Sequence, residues 1–269
     1  MRRPPLFTVA LGAALALTLA FLGLPLLAVF LDTTPAKLAS SLGDPASQDA
    51  LRLSLESSAA ALALIVLVGT PAAWFLATRE FRGRALLTTI VELPLVLPPA
   101  AAGIALLAAL GPHGIAGGLL ERAHVSLVLT TAGVVVAMAF VASPFYLRQA
   151  QAAFAALDRS LLEASRTLGA GEARTFARIA VPLARPGLVA GAALAWGRAL
   201  GEFGATLMFA GSLRGVTQTA PLALYERFST DFPAALALAV VLLAVSAAVL
   251  AAVKLAGAPA LRSDVAAGR

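Results

Sequence analysis

No cysteine occurs anywhere in the 269 residues, which removes disulfides, thiolate metal sites and cysteine nucleophiles from consideration. Histidine is nearly absent as well. His113 and His124 stand eleven residues apart in a Gly-rich stretch, a spacing that no helical metal pair uses. Charge is scarce: 13% of residues are Asp, Glu, Lys or Arg, where a water-soluble domain carries about 25%. That deficit is too large for a surface facing water. There is no G-x-x-x-x-G-K-[ST] phosphate loop, so the chain is not expected to bind ATP by itself. No nucleophile, base or metal set converges within the apolar runs, which argues against an intramembrane enzyme. The net charge of +6 comes from cations in short gaps between apolar runs, with no stacking aromatics beside them. Membrane orientation explains such cations better than nucleic-acid binding does.

Apolar sequence dominates instead. Hydrophobic residues make up 60% of the chain, and the mean hydropathy is +0.90. A bilayer core about 30 Å thick needs about 20 apolar residues in a helix. Six runs meet that length: Leu6–Leu31, Leu53–Ala77, Leu86–Leu110, Val125–Leu147, Gly187–Ala210 and Ala234–Leu255. Their scattered Gly and Pro are tolerated in membrane helices, where neighbours re-satisfy freed backbone groups. Pro94, Pro98 and Pro99 remove donors from the third run, which reads either as a kinked, path-lining helix or as an ordinary tolerated kink. The first run follows Arg2 and Arg3 as a signal peptide's would. Its apolar stretch exceeds the usual 7–15 residues, and no A-x-A-like site follows, so it reads as a retained helix.

With the N-terminus inside, fourteen Lys and Arg fall in inner segments and five (Lys37, Arg52, Arg122, Arg214 and Arg227) in outer ones. That bias predicts both termini in the cytoplasm. The expected architecture is an all-α polytopic membrane protein. It has six transmembrane helices in one domain over residues 1–269, with a long inner loop over residues 148–186.

That loop carries the strongest motif. From Ala156 to Leu183 it reads ALDRSLLEASRTLGAGEARTFARIAVPL. Leu157, Leu161, Leu162, Ala164, Ser165 and Leu168 form one largely apolar helical stripe. Asp158 is placed to cap its start, and Gly169 and Gly171 to end it. A second short helix is expected over about Glu172 to Ile179, leading to Pro182. Two short amphipathic helices at the inner face invite a partner's groove.

The spacing Glu163-Ala164-Ser165, three residues, Gly169, nine residues, Ile179-Ala180-Val181-Pro182 resembles the EAA loop of ABC importer permeases, E-A-A-x3-G-x9-I-x-L-P. Ser165 stands for the second Ala and Val181 for Leu. The resemblance implies that Glu163, Ala164, Ser165, Gly169, Ile179 and Pro182 form the element that docks on an ATP-binding subunit. It further implies a type I importer permease in the bacterial plasma membrane, working by alternating access. Two copies would form the path as a homodimer, with two ATP-binding cassette subunits and an external substrate-binding protein. No cofactor is expected on this chain, ATP and Mg lying on the partner subunit, and no nucleic acid. Taken alone, Glu163 also fits an ordinary solvated helix face.

Further segments sharpen the cargo. WGRALGEFGATLMFAG, Trp196 to Gly211, resembles the G-E-F-G-A-T stretch of molybdate permeases. ELPLVLPP, Glu92 to Pro99, is similar to the molybdate group, and TQTAPLALY, Thr217 to Tyr225, resembles its loop before the last helix. The stretch AAAGIA, Ala100 to Ala105, leans towards sulfate relatives. The resemblance thus implies import of molybdate or tungstate, with sulfate and then phosphate as alternatives. A stand-alone channel or secondary transporter would leave the EAA-like spacing unexplained.

Arg198 and Glu202 fall inside the fifth run, where a charge costs about 2.5–3.5 kcal/mol on insertion scales. At i,i+4 they share a helical face and are placed to pair. Two readings stand: the pair fixes helix packing near the gate, or Arg198 touches the passing anion. Glu202 would repel an oxyanion and is a poor direct ligand. Thr206, Pro98 and Pro99 complete the candidate path or gate set. Gly197, Gly201 and Gly204 allow close helix approach.

Overall fold

The structure, a computed structural model, describes residues 6–266, with side chains described as far as residue 252. Of the cations counted for orientation, Arg2, Arg3 and Arg269 lie outside the described residues, as do the side chains of Lys254 and Arg262. Every element among the described residues is helical. In chain order these are α1 (Leu6–Leu31), α2 (Pro35–Gly43), α3 (Pro45–Thr78), α4 (Arg84–Val96), α5 (Pro99–Leu110), α6 (Gly117–Arg122), α7 (Thr131–Ala155), α8 (Arg159–Thr167) and α9 (Glu172–Thr175). A π-turn over Phe176–Ala180 follows, then α10 (Val181–Leu200), α11 (Gly204–Ala210), α12 (Ala220–Thr230) and α13 (Phe232–Ala266).

Among the described residues five helices are long and apolar enough to cross a bilayer: α1, α3, α7, the continuous run Glu172–Leu200, and α13 over Phe232–Ala252. The expected third crossing, Leu86–Leu110, is two short helices instead. It breaks at Leu97–Pro98, where Pro98 takes an extended ψ of 134° and Pro99 opens α5 at its first helical position. Neither proline has an N–H to continue the ladder, whereas Pro94 is absorbed within α4.

The fourth crossing is displaced towards the C-terminus. Val125–Leu147 was the apolar run, but α7 begins at Thr131, whose predecessor Thr130 caps it by accepting from Gly133 N at 3.2 Å. His124 and Leu129 have φ of 55° and 59°, so a helix cannot start across them. The fifth run is also divided. α10 starts at Val181 and stops at Leu200, and α11 resumes only after Gly201–Phe203.

The bundle centre is α7, packed along α3 on one side and α10 on the other. Its core is mostly small: Ala61, Ala73, Ala142, Ala150, Ala195 and Ala199 are buried together with Tyr146, Met138 and Phe154. Small residues let helix backbones approach closely, which in a bilayer gains packing and not hydrophobic energy. Thr70 and Tyr146 hydroxyls meet at 2.6 Å across the α3–α7 seam. α1 has no buried residue and only grazes α13.

The two ends of the bundle differ. At one end Asp44 caps α3 by accepting from Ser47 N, and its carboxylate also pairs with Arg227 at the end of α12. That partner holds the Asp44 carboxyl below its ordinary range. Nearby, Arg214 donates to Glu226 at 2.6 Å and lowers that carboxyl likewise. At the opposite end lie α8 and α9.

Candidate functional site

Two places collect the residues singled out by sequence. The first is α8. Asp158 accepts from Ser160 N at 2.9 Å, so the helix start is capped as expected, and this N–H lowers the Asp158 carboxyl. Gly169, at φ +81°, ends it. Gly169 N donates to Arg166 O at 2.9 Å, and Ala170 N donates to Ser165 O at 3.1 Å. Those two bonds are the Schellman closure, which needs a left-handed residue at this position.

The helix buries Leu162 and Ser165 against the bundle and leaves Glu163, Ala164 and Gly169 exposed. Leu168 stands 88% exposed beside them. Ser165 has a structural use that Ala lacks: its hydroxyl meets Thr175 Oγ1 at 3.0 Å, tying α8 to α9. The second short helix is not free-standing. α9 passes through the π-turn directly into α10, with Val181 N donating to Phe176 O five residues back. Ile179 is half-buried in that turn, and Pro182 sits exposed in the first turn of α10. A π-turn absorbs the register change that a proline imposes on a continuing helix.

Contacts from distant sequence seat this loop, and no periodicity signals them. Arg79 Nη2 donates to both Glu172 oxygens at 2.5 and 2.6 Å. Trp74 packs edge-on to Phe154 at 5.3 Å and against Phe176 at 5.7 Å. The exposed ion pair contributes at most about 1 kcal/mol. The aromatic trio supplies area and direction, about 0.5–1.5 kcal/mol for each pair beyond burial.

The second place is a crossing of two broken helices. A Cβ on Gly204 would lie 2.7 Å from Pro99 Cβ, and one on Gly103 would lie 2.7 Å from Ala205 O. The start of α11 therefore rests directly on the start of α5. The approach brings the Pro98–Pro99 break of one helix and the segment holding Glu202 and Thr206 to the same crossing, and Gly103 and Gly204 leave it the room. Broken helices inside a membrane expose backbone termini, and such points commonly line paths or sites.

Glu202 lies past the end of α10, not within a continuous fifth helix, and its side chain is 0% exposed. Its Oε1 accepts from Ala205 N at 2.7 Å, which satisfies one free donor at the start of α11. Its Oε2 is 2.7 Å from Arg198 Nη2, so the pairing expected from sequence forms. No N–H points along that line, and Oε2 makes no hydrogen bond. The contact is a close charge pair, not a linear charge-assisted bond. Arg198 is 27% exposed, and Thr206 Oγ1 is buried without a partner.

Sequence reasoning missed a buried hydroxyl seam nearby. Ser54, Ser57 and Ser58 share one face of α3 and are buried. Ser58 accepts from Trp196 Nε1 at 2.9 Å, and Ser54 from Ala220 N at 2.7 Å. The signal was available as the S-x-x-S-S pattern within an apolar run. Among the described residues no group of His, Asp and Glu gathers as a metal site.

Comparison with known proteins identifies the family. Residues 65–258 match the family described as binding-protein-dependent transport system inner membrane component. Over 229 residues the chain is 42% identical to the molybdenum transport system permease protein ModB of Mycobacterium tuberculosis, covering 85% of this chain and 87% of that protein. It is 35% identical over 246 residues to the sulfate transport system permease protein CysT of Escherichia coli, covering 90% of this chain and 89% of that one. In fold it resembles a bacterial ABC transporter involved in the import of the acidic polysaccharide alginate. The TM-score is 0.73 at 18% identity, covering 96% of this chain and 95% of that one. This is a multi-pass membrane protein, and it belongs to the family of binding-protein-dependent transport system inner membrane components.

Proposed function

We propose that this chain is the permease subunit of an ATP-driven importer carrying molybdate or tungstate inward by alternating access. The observation that carries the reading is α8: a helix closed at both ends, seated on the bundle by one face and bare on the other. A helix held so firmly with Leu168 and Ala164 bare, and with Glu163 exposed at its edge, is built to be gripped by another protein. That protein would be one of two ATP-binding cassette subunits, where ATP and Mg would lie; the permease itself would do no covalent chemistry. A second copy of the chain would complete the path, and an external binding protein would deliver the anion. In this reading α4 and α5 together make the sixth crossing, and both termini are cytoplasmic. Tags at the two ends shielded in right-side-out cells support that orientation; an accessible N-terminus refutes it.

The crossing of α5 and α11 is the proposed gate. Arg198 offers positive charge there, and Glu202 fixes where that charge sits. The cargo assignment rests on the similarity to the molybdenum permeases. Sulfate is the second reading, favoured by Ala100–Ala105 and by the similarity to the sulfate permease. ATP-dependent uptake of labelled molybdate distinguishes them, in vesicles holding this chain with its own ATPase and binding protein. Uptake resistant to excess sulfate supports molybdate. Uptake of sulfate keeps the machine and changes the cargo. No ATP-dependent uptake of either sinks the proposal.

A further inference from the structure

Beside α8 runs a furrow that takes in only Glu163 of the expected coupling residues. It is a chain of three hollows. The central one, about 310 Å³, lies between α8 and the ends of α3, α4 and α7. It shares Arg84 and Ala155 with a second hollow along α4 and α7, and Thr78 and Arg166 with a third under Trp74.

Five arginines line these hollows, and two are already paired. Arg148 faces Glu92 at 3.3 Å, and Arg79 holds Glu172. Arg84, Arg159 and Arg166 make no ion pair with any described residue, and only Glu163 stands beside them as an unpaired carboxylate. Three guanidinium groups against the one Glu163 carboxylate leave the hollow with an excess of positive charge that an added anion would offset. They come from two separate elements: Arg84 opens α4, while Arg159 and Arg166 lie at either end of α8. Guanidinium forks match the oxygens of phosphate-like ions and leave apolar ligands unserved. Phe154, Leu157 and Leu162 supply the apolar part of the hollow's floor, while polar groups make up most of the lining.

We propose that this furrow binds a tetrahedral oxyanion, held by Arg84, Arg159 and Arg166, and so ties α8 to the membrane bundle. The anion is either the phosphate of an anionic phospholipid, whose glycerol end the apolar floor suits, or a free oxyanion in the cytoplasm. The binding itself does not depend on which anion is imported, and it is tested apart from transport.

The furrow contains its own reporter, because Trp74 lines it and the chain has only two tryptophans. The full-length chain in neutral detergent micelles is titrated at constant ionic strength with short-chain phosphatidylglycerol, and separately with inorganic phosphate and molybdate. Tryptophan fluorescence and melting temperature are both read. Saturable fluorescence change and stabilisation are expected for at least one probe. Each of Arg84→Gln, Arg159→Gln and Arg166→Gln is expected to weaken it about fivefold, as for ~1 kcal/mol per arginine beside an anionic group. The single variants serve if the triple variant does not fold. A response to phosphatidylglycerol alone assigns the lipid source, and a response to phosphate or molybdate assigns the free ion. A wild-type chain that answers none of the probes, or variants that answer as the wild type does, overturns the proposal.

Discussion

Replacing Arg198 by alanine removes the one positive charge beside a carboxylate with no access to solvent. Glu202 Oε1 keeps its bond from Ala205 N, but Oε2 loses the only positive charge paired with it among the described residues. Breaking a buried pair from one side costs about 3–5 kcal/mol, because the surviving charge stays buried and unpaired. Two features place the expected loss near the lower end. Arg198 is 27% exposed, and its N–H groups do not point along the 2.7 Å line to Oε2. A loss of roughly 3 kcal/mol corresponds to about 6 °C in melting temperature, at about 2 °C per kcal/mol for a chain of this size. Glu202→Gln leaves the milder defect. The amide oxygen still accepts from Ala205 N, and the stranded guanidinium retains partial contact with solvent. The double variant Arg198→Ala/Glu202→Gln is expected to recover most of the single Arg198→Ala loss, since no buried charge remains. The assay is thermal unfolding of the purified permease in detergent, run as a double-mutant cycle. Equal losses for the two single variants, or strict additivity in the double, refute the reasoning.

Glu163→Arg is expected to abolish uptake while the chain still inserts and melts normally, with ATP hydrolysis by the partner no longer driving transport; normal uptake would refute the docking role. Gly169→Ala puts a side chain at φ +81° and should cost about 1–2 kcal/mol locally, read as faster amide exchange in α8 and α9. Gly103→Leu must displace Ala205 and Met208, so it should separate α5 from α11 and block uptake even where expression is normal. The Asp44–Arg227 link has a pH signature. Its carboxyl titrates below the usual carboxylate value when folded, so the stabilisation is present at neutral pH. It disappears as pH falls through that lowered value. Protease resistance around residues 32–50 should drop on acidification, and Asp44→Asn should remove the difference.

Much of the α8 region was legible because its signals are local. Asp158 and Gly169 announce the two ends through side-chain and backbone chemistry that depends on nothing remote. A distortion by Pro94, Pro98 and Pro99 was legible for the same reason, since proline lacks its donor in any fold, but not that Pro94 is absorbed and that the run divides into two helices at Leu97–Pro98. The division at Gly201–Phe203 was not. Hydropathy continues unbroken through that segment, and apolar content carries no record of backbone dihedrals. The start of α7 was misplaced for the opposite reason: Val125, Leu127, Val128 and Leu129 are apolar but precede the Thr130 cap. The Arg198–Glu202 contact followed from i,i+4 spacing even though the helix ends between the two residues. Arg79 and Glu172, 93 positions apart, left no trace a single sequence can show.

The continuity of α9, the π-turn and α10 gives the molecule a lever arm. Glu172–Leu200 runs for 29 residues, which is about 43 Å at 1.5 Å per residue. One end carries the residue anchored to Arg79 beside α8, and the far end carries Arg198. A tilt imposed at the near end would pass through the π-turn and Pro186 without leaving the helix, and the first full break along the chain is Gly201–Phe203. In the proposed alternating-access cycle the bend is expected there, across the very gap that the Arg198–Glu202 pair spans. In the proposed gate that pair would serve as a detent: small tilts would be resisted by it, and a stroke large enough to part the two charges would free α11 to swing on α5.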